Sequence, residues 1–310
     1  VNGDEGIRRE WIREDYDLEA TLDCGQAFGW ERSAVGWVGV VHGRWVRLRQ
    51  EGNRIRAEVA SPASDWSWLE HPLALDEDLG AILRTFPEDE PMREAMRECQ
   101  GLRVLRQEPW ECLASFICSS TKQIVQIRQI VRMLRERHGE RVRVPEGDAP
   151  AWAFPTAERI AALEEVDLRA CKLGFRAPYL LAAARCVASG ALDLQQVAGL
   201  SVEEARERLM GLRGVGRKVA DCALLFGLGF PTAFPVDVWV RVALKGLYFP
   251  RARKVSARRL EEFSATHFGP YGGYAQQYLF HYVRTKLGRA WAAGAVRKSS
   301  KVKAARARRT

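Results

Sequence analysis

The spacing of apolar residues changes once along this chain, and that change limits the folds open to it. From Gln26 to Val59 the pattern is strand-like, with short alternating runs at Trp37-Val38-Gly39-Val40-Val41, Arg44-Trp45-Val46-Arg47-Leu48 and Arg54-Ile55-Arg56-Ala57-Glu58-Val59. His42-Gly43 and Glu51-Gly52-Asn53 separate the runs, which predicts an antiparallel meander with tight turns. After Pro62 the spacing becomes helical and stays so. From Thr121 to His138, Ile124, Ile127, Ile130, Val131 and Leu134 recur on one helical face, with Lys, Gln and Arg on the other. Further helices fit Thr156–Leu163, Arg176–Ala188, Val202–Met210, Arg217–Gly227, Val238–Tyr248, Ser256–His267 and Gly273–Lys286. The expected class is therefore α+β. An N-terminal antiparallel β domain with flanking helices occupies residues 1–100, an all-helical domain residues 101–290, and a basic, disordered tail residues 291–310.

Charge divides along the same line. Residues 1–100 hold 12 Arg and no Lys against 21 acidic residues, a net of −9, while residues 101–310 hold 36 basic against 18 acidic, a net of +18. An arginine-rich genome explains the preference for Arg over Lys but not the asymmetry, so a polyanion-binding surface is expected in the second part. The tail from Arg297 to Thr310 carries seven basic residues and no acidic one, and is expected to add nonspecific attraction to DNA. Seven scattered cysteines without a C-x-x-C pair read as buried thiols in a reducing compartment, and nothing after Cys222 supplies the closely spaced thiolates of an iron–sulfur loop. No apolar run has the length of a membrane span, and the acidic first residues argue against a secretory signal.

The chemistry concentrates in one stretch. Leu212-Arg213-Gly214-Val215-Gly216 lies between two helical patterns, and Arg217-Lys218-Val219-Ala220-Asp221-Cys222 opens the second. Two glycines around an apolar residue permit a tight hairpin, whose backbone amides and following helix N-terminus suit a phosphate. Such a site grips a nucleic-acid backbone without reading its sequence. A lysine at a helix start reads on its own as a phosphate contact or a solvated charge. Its place directly after the hairpin, beside Arg217, also suits a nucleophilic amine. Asp237, after Phe234-Pro235-Val236, reads as a helix N-cap or as a carboxylate that steadies developing positive charge, and the two roles are compatible.

These segments resemble the helix-hairpin-helix glycosylase superfamily, specifically its 8-oxoguanine branch. Leu22-Asp23-Cys24-Gly25-Gln26-Ala27-Phe28-Gly29-Trp30, Phe116-Ile117-Cys118-Ser119-Ser120, Lys172-Leu173-Gly174-Phe175-Arg176-Ala177 and Gly269-Pro270-Tyr271-Gly272-Gly273-Tyr274-Ala275-Gln276 are similar to family segments in the same order, so the likeness spans about residues 15–287. It implies a β domain of TATA-binding-protein type packed on the helical glycosylase domain. It also implies a bifunctional DNA glycosylase and abasic-site lyase that flips oxidised guanine out of double-stranded DNA, working as a monomer at a nucleoid or in a nucleus. Lys218 is then the nucleophile that forms a Schiff base and Asp237 its carboxylate partner, with no cofactor required. Gly25 offers a carbonyl to the N7 hydrogen of the lesion, Cys222 and Phe280 sandwich the base, and Gln276 reads its pairing edge. Phe175 is a wedge and Arg176 meets the estranged base, although Phe175 and Phe280 alone read equally as core aromatics. Gly214, Val215 and Gly216 hold the DNA backbone, and the carbonyls of Met210, Leu212 and Val215 hold a structural ion.

Three positions depart from the eukaryotic pattern. Thr121 replaces an Asn that fills the vacated site, Gln126 an Arg that helps read cytosine, and Trp239 a His near the sugar-phosphate. Two other readings stand beside this one: an alkylpurine glycosylase of the same fold using the aspartate alone, or a noncatalytic helix-hairpin-helix DNA-binding protein. Lys218 argues against the first, and Asp237 with the pocket residues against the second.

Overall fold

The computed structural model describes residues 6–252 and 254–288, so the basic tail lies outside the described residues. The meander forms as expected, as three strands at Gly36–Val41, Arg44–Glu51 and Arg54–Val59. A separate pair, Arg141–Val142 with Ala151–Trp152, and two further strands beside the meander, Arg8–Ile12 and Glu31–Ser33, are not among the runs named from the sequence. Numbered β1 to β5 along the chain, the three meander strands and the two beside them make one antiparallel sheet in the order β1-β5-β4-β3-β2. Arg8–Ile12 has no clean alternation, because only Trp11 in it is buried, so its pairing with β5 (Trp11 opposite Ile55) rests on a contact far along the chain. Trp11, Trp37, Val46, Leu48, Ile55 and Trp66 form the sheet's core.

The helical part also follows the pattern. Val202–Met210 and Val238–Tyr248 coincide with their expected bounds, and Arg217–Phe226 and Ala257–His267 differ by one residue. The expected helix from Thr121 begins instead at Ile124, since Thr121 has φ +59° and Gln123 is the N-cap. There the Gln123 and Gln126 side chains each accept from the other's backbone N–H, a capping box that starts the helix later than periodicity alone suggested. The last expected helix is regular over Gly272–Tyr282 and turns to a π-helical stretch over Val283–Leu287.

Gln26 joins the two cores and is fully buried. Its amide nitrogen donates to the Thr21 carbonyl at 2.9 Å and the Arg103 carbonyl at 2.8 Å, and its oxygen accepts from Leu105 N at 2.8 Å. Gln107 continues the seam: its side chain donates to the Gln26 carbonyl at 2.8 Å, and its backbone N donates to Phe226 O at 2.7 Å. The loop carrying Gly25 is thereby tied to the end of the helix carrying Lys218.

The hairpin closes as the sequence predicts. Gly214 has φ +86°, and a Cβ there would lie 2.4 Å from the Tyr179 ring. Across the turn Arg206 Nε donates to the buried Asp221 Oδ1 at 2.6 Å, bracing one helix on the other. Gly216 differs, with φ −93° and no heavy atom within 4 Å of a Cβ. Gly214→Ala should therefore cost about 2 kcal/mol or more of stability and Gly216→Ala less than about 1 kcal/mol. Denaturant titration of both variants checks this, and equal losses would mean that the turn is not set by Gly214.

Candidate active site

Lys218 is the second residue of the Arg217–Phe226 helix, and Asp237 is the N-cap of Val238–Tyr248. Both line one cavity of about 870 Å³. Gly25, Thr121, Trp239 and Phe280 line it too, so six of the residues singled out in the sequence meet there. Phe116, Ser119 and Arg284, given no role by the sequence reading, are among the other residues of the wall.

Asp237 is the helix N-cap that the sequence predicts. Its carboxylate accepts from Val240 N at 2.7 Å, the ordinary act of an N-cap. Burial pushes this carboxyl above the usual carboxylate range, against the pull of the Val240 N–H, the Lys218 charge and the Trp239 N–H. The Lys218 amine donates to Ser119 Oγ at 3.1 Å and lies 4.8 Å from the centre of the Phe116 ring. Arg217, expected to bear on Lys218, faces Asp221 at 3.7 Å and Glu261 at 3.6 Å.

Gly25 has φ +84°, and a Cβ there would lie 2.6 Å from Ile124 Cδ1 and 3.8 Å from Phe280. Only glycine fits, so this wall of the cavity is backbone. Arg284 donates to the neighbouring Asp23 carbonyl at 2.6 Å and Gln277 to the Cys24 carbonyl at 3.4 Å, which hold the loop in place. Gln276 and Cys222, 4% and 3% exposed, lie behind the cavity wall rather than on it. The Gln276 amide oxygen is buried without a hydrogen-bond partner among the described residues, and burial pushes the Cys222 thiol up to about 12.

The opposite-strand candidates sit apart from the cavity, except Thr121. Phe175 is 53% exposed, which rules out the core reading for it. Arg176 is buried and turned inward: it donates to the Ser120 carbonyl through Nε at 2.7 Å, to Thr121 Oγ1 at 2.6 Å and to the Leu173 carbonyl at 3.1 Å. Its guanidinium lies 4.1 Å from the Phe175 ring centre. Thr121, a β-branched residue held in the left-handed region, is thus fastened to Arg176. The Gln126 amide oxygen accepts from Gln123 N at 3.0 Å, which leaves its NH₂ as the outward group.

On the hairpin, bare backbone at Gly216 meets open space at a helix N-terminus, the arrangement expected of an anion site. The three carbonyls assigned to a structural ion share the turn. That of Leu212 accepts from Val215 N at 3.1 Å, while those of Met210 and Val215 accept no hydrogen bond among the described residues, so the donors fit a hard cation.

Residues 11–113 match the family described as 8-oxoguanine DNA glycosylase, N-terminal domain, and residues 114–265 match HhH-GPD superfamily base excision DNA repair protein. The chain belongs to the 8-oxoguanine DNA glycosylase family of that superfamily. This glycosylase is 32% identical over 219 residues to a probable N-glycosylase/DNA lyase of Methanothermobacter thermautotrophicus, covering 64% of this chain and 69% of that one. It is 28% identical over 286 residues to the N-glycosylase/DNA lyase OGG1 of Arabidopsis thaliana, covering 86% and 77%. It superposes with a TM-score of 0.82 and 30% identity on Clostridium acetobutylicum 8-oxoguanine glycosylase/lyase in complex with double-stranded DNA containing cytosine opposite 8-oxoG, covering 90% of this chain and 98% of that one.

The buried carboxylate of the glycosylase has a consequence for stability. Because folding raises the Asp237 pKa above its unfolded value, the folded state favours the protonated form and loses stability as pH rises through the folded-state value. Asparagine caps a helix as well as aspartate does and carries no charge. Asp237→Asn should therefore raise the melting temperature at pH 7, with the gain shrinking as pH falls into the ordinary carboxylate range. Melting curves across that range check the sign, and a variant less stable than the parent at pH 7 would mean that the Lys218 attraction outweighs burial.

Proposed function

We propose that this glycosylase excises 8-oxoguanine, and ring-opened guanine, from duplex DNA as a monomer, through base flipping, Schiff-base formation on Lys218 and β-elimination. The observation that carries this reading is the meeting of Lys218 and Asp237, from two helices, in one cavity walled by the Gly25 backbone and Phe280. The flipped nucleotide enters this cavity with the sugar toward Lys218 and the base toward Gly25. As the C1′–N9 bond breaks, its electron pair leaves with the base and the Asp237 carboxylate steadies the positive charge on the sugar. The Lys218 nitrogen bonds to C1′, the sugar ring opens to a Schiff base, and loss of the C2′ proton expels the 3′ phosphate. A guanine N7 lone pair facing the Gly25 carbonyl is repelled, whereas the N7 hydrogen of the oxidised base is accepted. The Gln276 amide oxygen, unpartnered among the described residues, supports a reader of the base edge.

The alkylpurine reading uses the carboxylate alone and leaves no task for Lys218, and a purely DNA-binding protein has none for the cavity. Borohydride reduction of the enzyme with 8-oxoguanine duplex should yield a covalent adduct that Lys218→Gln abolishes. An adduct of undiminished yield in that variant would sink the assignment.

Opposite-base reading should be looser than that of an enzyme with arginine at position 126. An arginine presents a rigid fork of donors, whereas Gln126, its oxygen committed to the capping box, presents one NH₂. A bidentate contact discriminates by about 1–3 kcal/mol, so Gln126→Arg should sharpen the preference for cytosine roughly tenfold to a hundredfold. Single-turnover excision opposite C, A, G and T measures it. Equal strictness in parent and variant would remove Gln126 from the selectivity.

A further inference from the structure

The amine of Lys218 is not free in its cavity, and its surroundings determine where its lone pair can point. Ser119 is the C-cap of the Pro109–Cys118 helix, and its hydroxyl donates back to the Phe116 carbonyl at 2.7 Å. That hydroxyl has a single proton, already committed, so toward Lys218 Nζ at 3.1 Å the oxygen can act only as an acceptor. A second direction is closed by the Phe116 ring, whose face lies 4.8 Å from Nζ. The ring itself is fixed, stacked on Phe226 at 5.6 Å and edge-on to Phe28 at 5.3 Å.

A neutral amine has two N–H bonds and one lone pair. With one N–H given to Ser119 Oγ and the other to the Phe116 π face or to the Cys222 thiol, which also lies within hydrogen-bonding reach of the amine, the lone pair is left clear of these groups in the cavity that Asp237, Gly25 and Phe280 line. A hydroxyl with its proton free would do the opposite, donating into the lone pair and blocking attack. We infer that Ser119 is a positioning residue for the nucleophile, an obligate acceptor that orients the Lys218 lone pair toward the sugar carbon. The inference rests on Lys218 as the nucleophile.

Orientation of this kind acts on the chemical step and not on binding, so losing it should slow reaction by about tenfold to a hundredfold. The test measures single-turnover excision of 8-oxoguanine, and borohydride trapping on preformed abasic-site duplex, for Ser119→Ala, Ser119→Cys and Ser119→Thr. Cysteine preserves the side chain's shape but is a weak acceptor, so it separates acceptance from packing. Both Ala and Cys should slow excision and trapping together, with the dissociation constant for uncleavable abasic-analogue duplex and the melting temperature unchanged. Threonine, which keeps the hydroxyl, should recover most of the rate. Parent-like rates in Ala and Cys, with trapping still dependent on Lys218, would overturn the role of Ser119 alone. An adduct that persists in Lys218→Gln would overturn the nucleophile and this inference with it. Rate losses matched by equal losses of affinity or melting temperature would reduce Ser119 to a structural helix cap.

Discussion

The Gln26 amide is the constraint from which the site is built. A primary amide buried without partners costs several kcal/mol, so its position is fixed by where three backbone groups can meet it. Here those groups belong to the end of the first helix and to the extended segment at residues 103–105, and Gln107 carries the seam on to Phe226. Gly25 immediately precedes Gln26, and Phe226 ends the helix whose second residue is Lys218. The wall that would test the base and the amine that would attack the sugar are thus held by one hydrogen-bonded seam, although the chain between them runs through both cores.

Around that frame the cavity holds groups that folding alone does not favour. Asp237 is a carboxylate out of water, supported by two backbone N–H groups and a neighbouring lysine that only partly offset burial. Gln276 keeps a buried oxygen with no hydrogen-bond partner among the described residues. Thr121 occupies a left-handed conformation that a β-branched residue adopts at some cost, fastened there by the Arg176 guanidinium. Unmet or strained groups of this sort gather where a ligand is to supply the missing partner, and here all three lie on or directly behind the same cavity.

Much of this was legible before any coordinates. The three meander strands announce themselves by alternation, and the hairpin by Gly214-Val215-Gly216. β1 was not legible, because Arg8–Ile12 has one buried residue and takes its place only by pairing with β5. The helix start at Ile124 was missed because its start signal is a pair of glutamines capping each other, a pattern that looks like the polar face of a longer helix. Arg176, expected to meet the estranged base, also donates to the Ser120 carbonyl 56 positions away, a partner that local spacing does not bring to mind.

What the sequence determined by itself was everything carried by short-range geometry: the change from alternation to helical periodicity, the turn only glycine permits at Gly214, the lysine that opens the next helix and the aspartate that caps another. Such features repeat every few residues, so spacing alone exposes them. The tertiary structure alone decided that Ser119 would meet Lys218 across 99 positions and that Phe116 would lie beneath the amine. Contacts between distant segments depend on how helices stack and which polar groups burial leaves unpaired, and no local period in the sequence records that outcome.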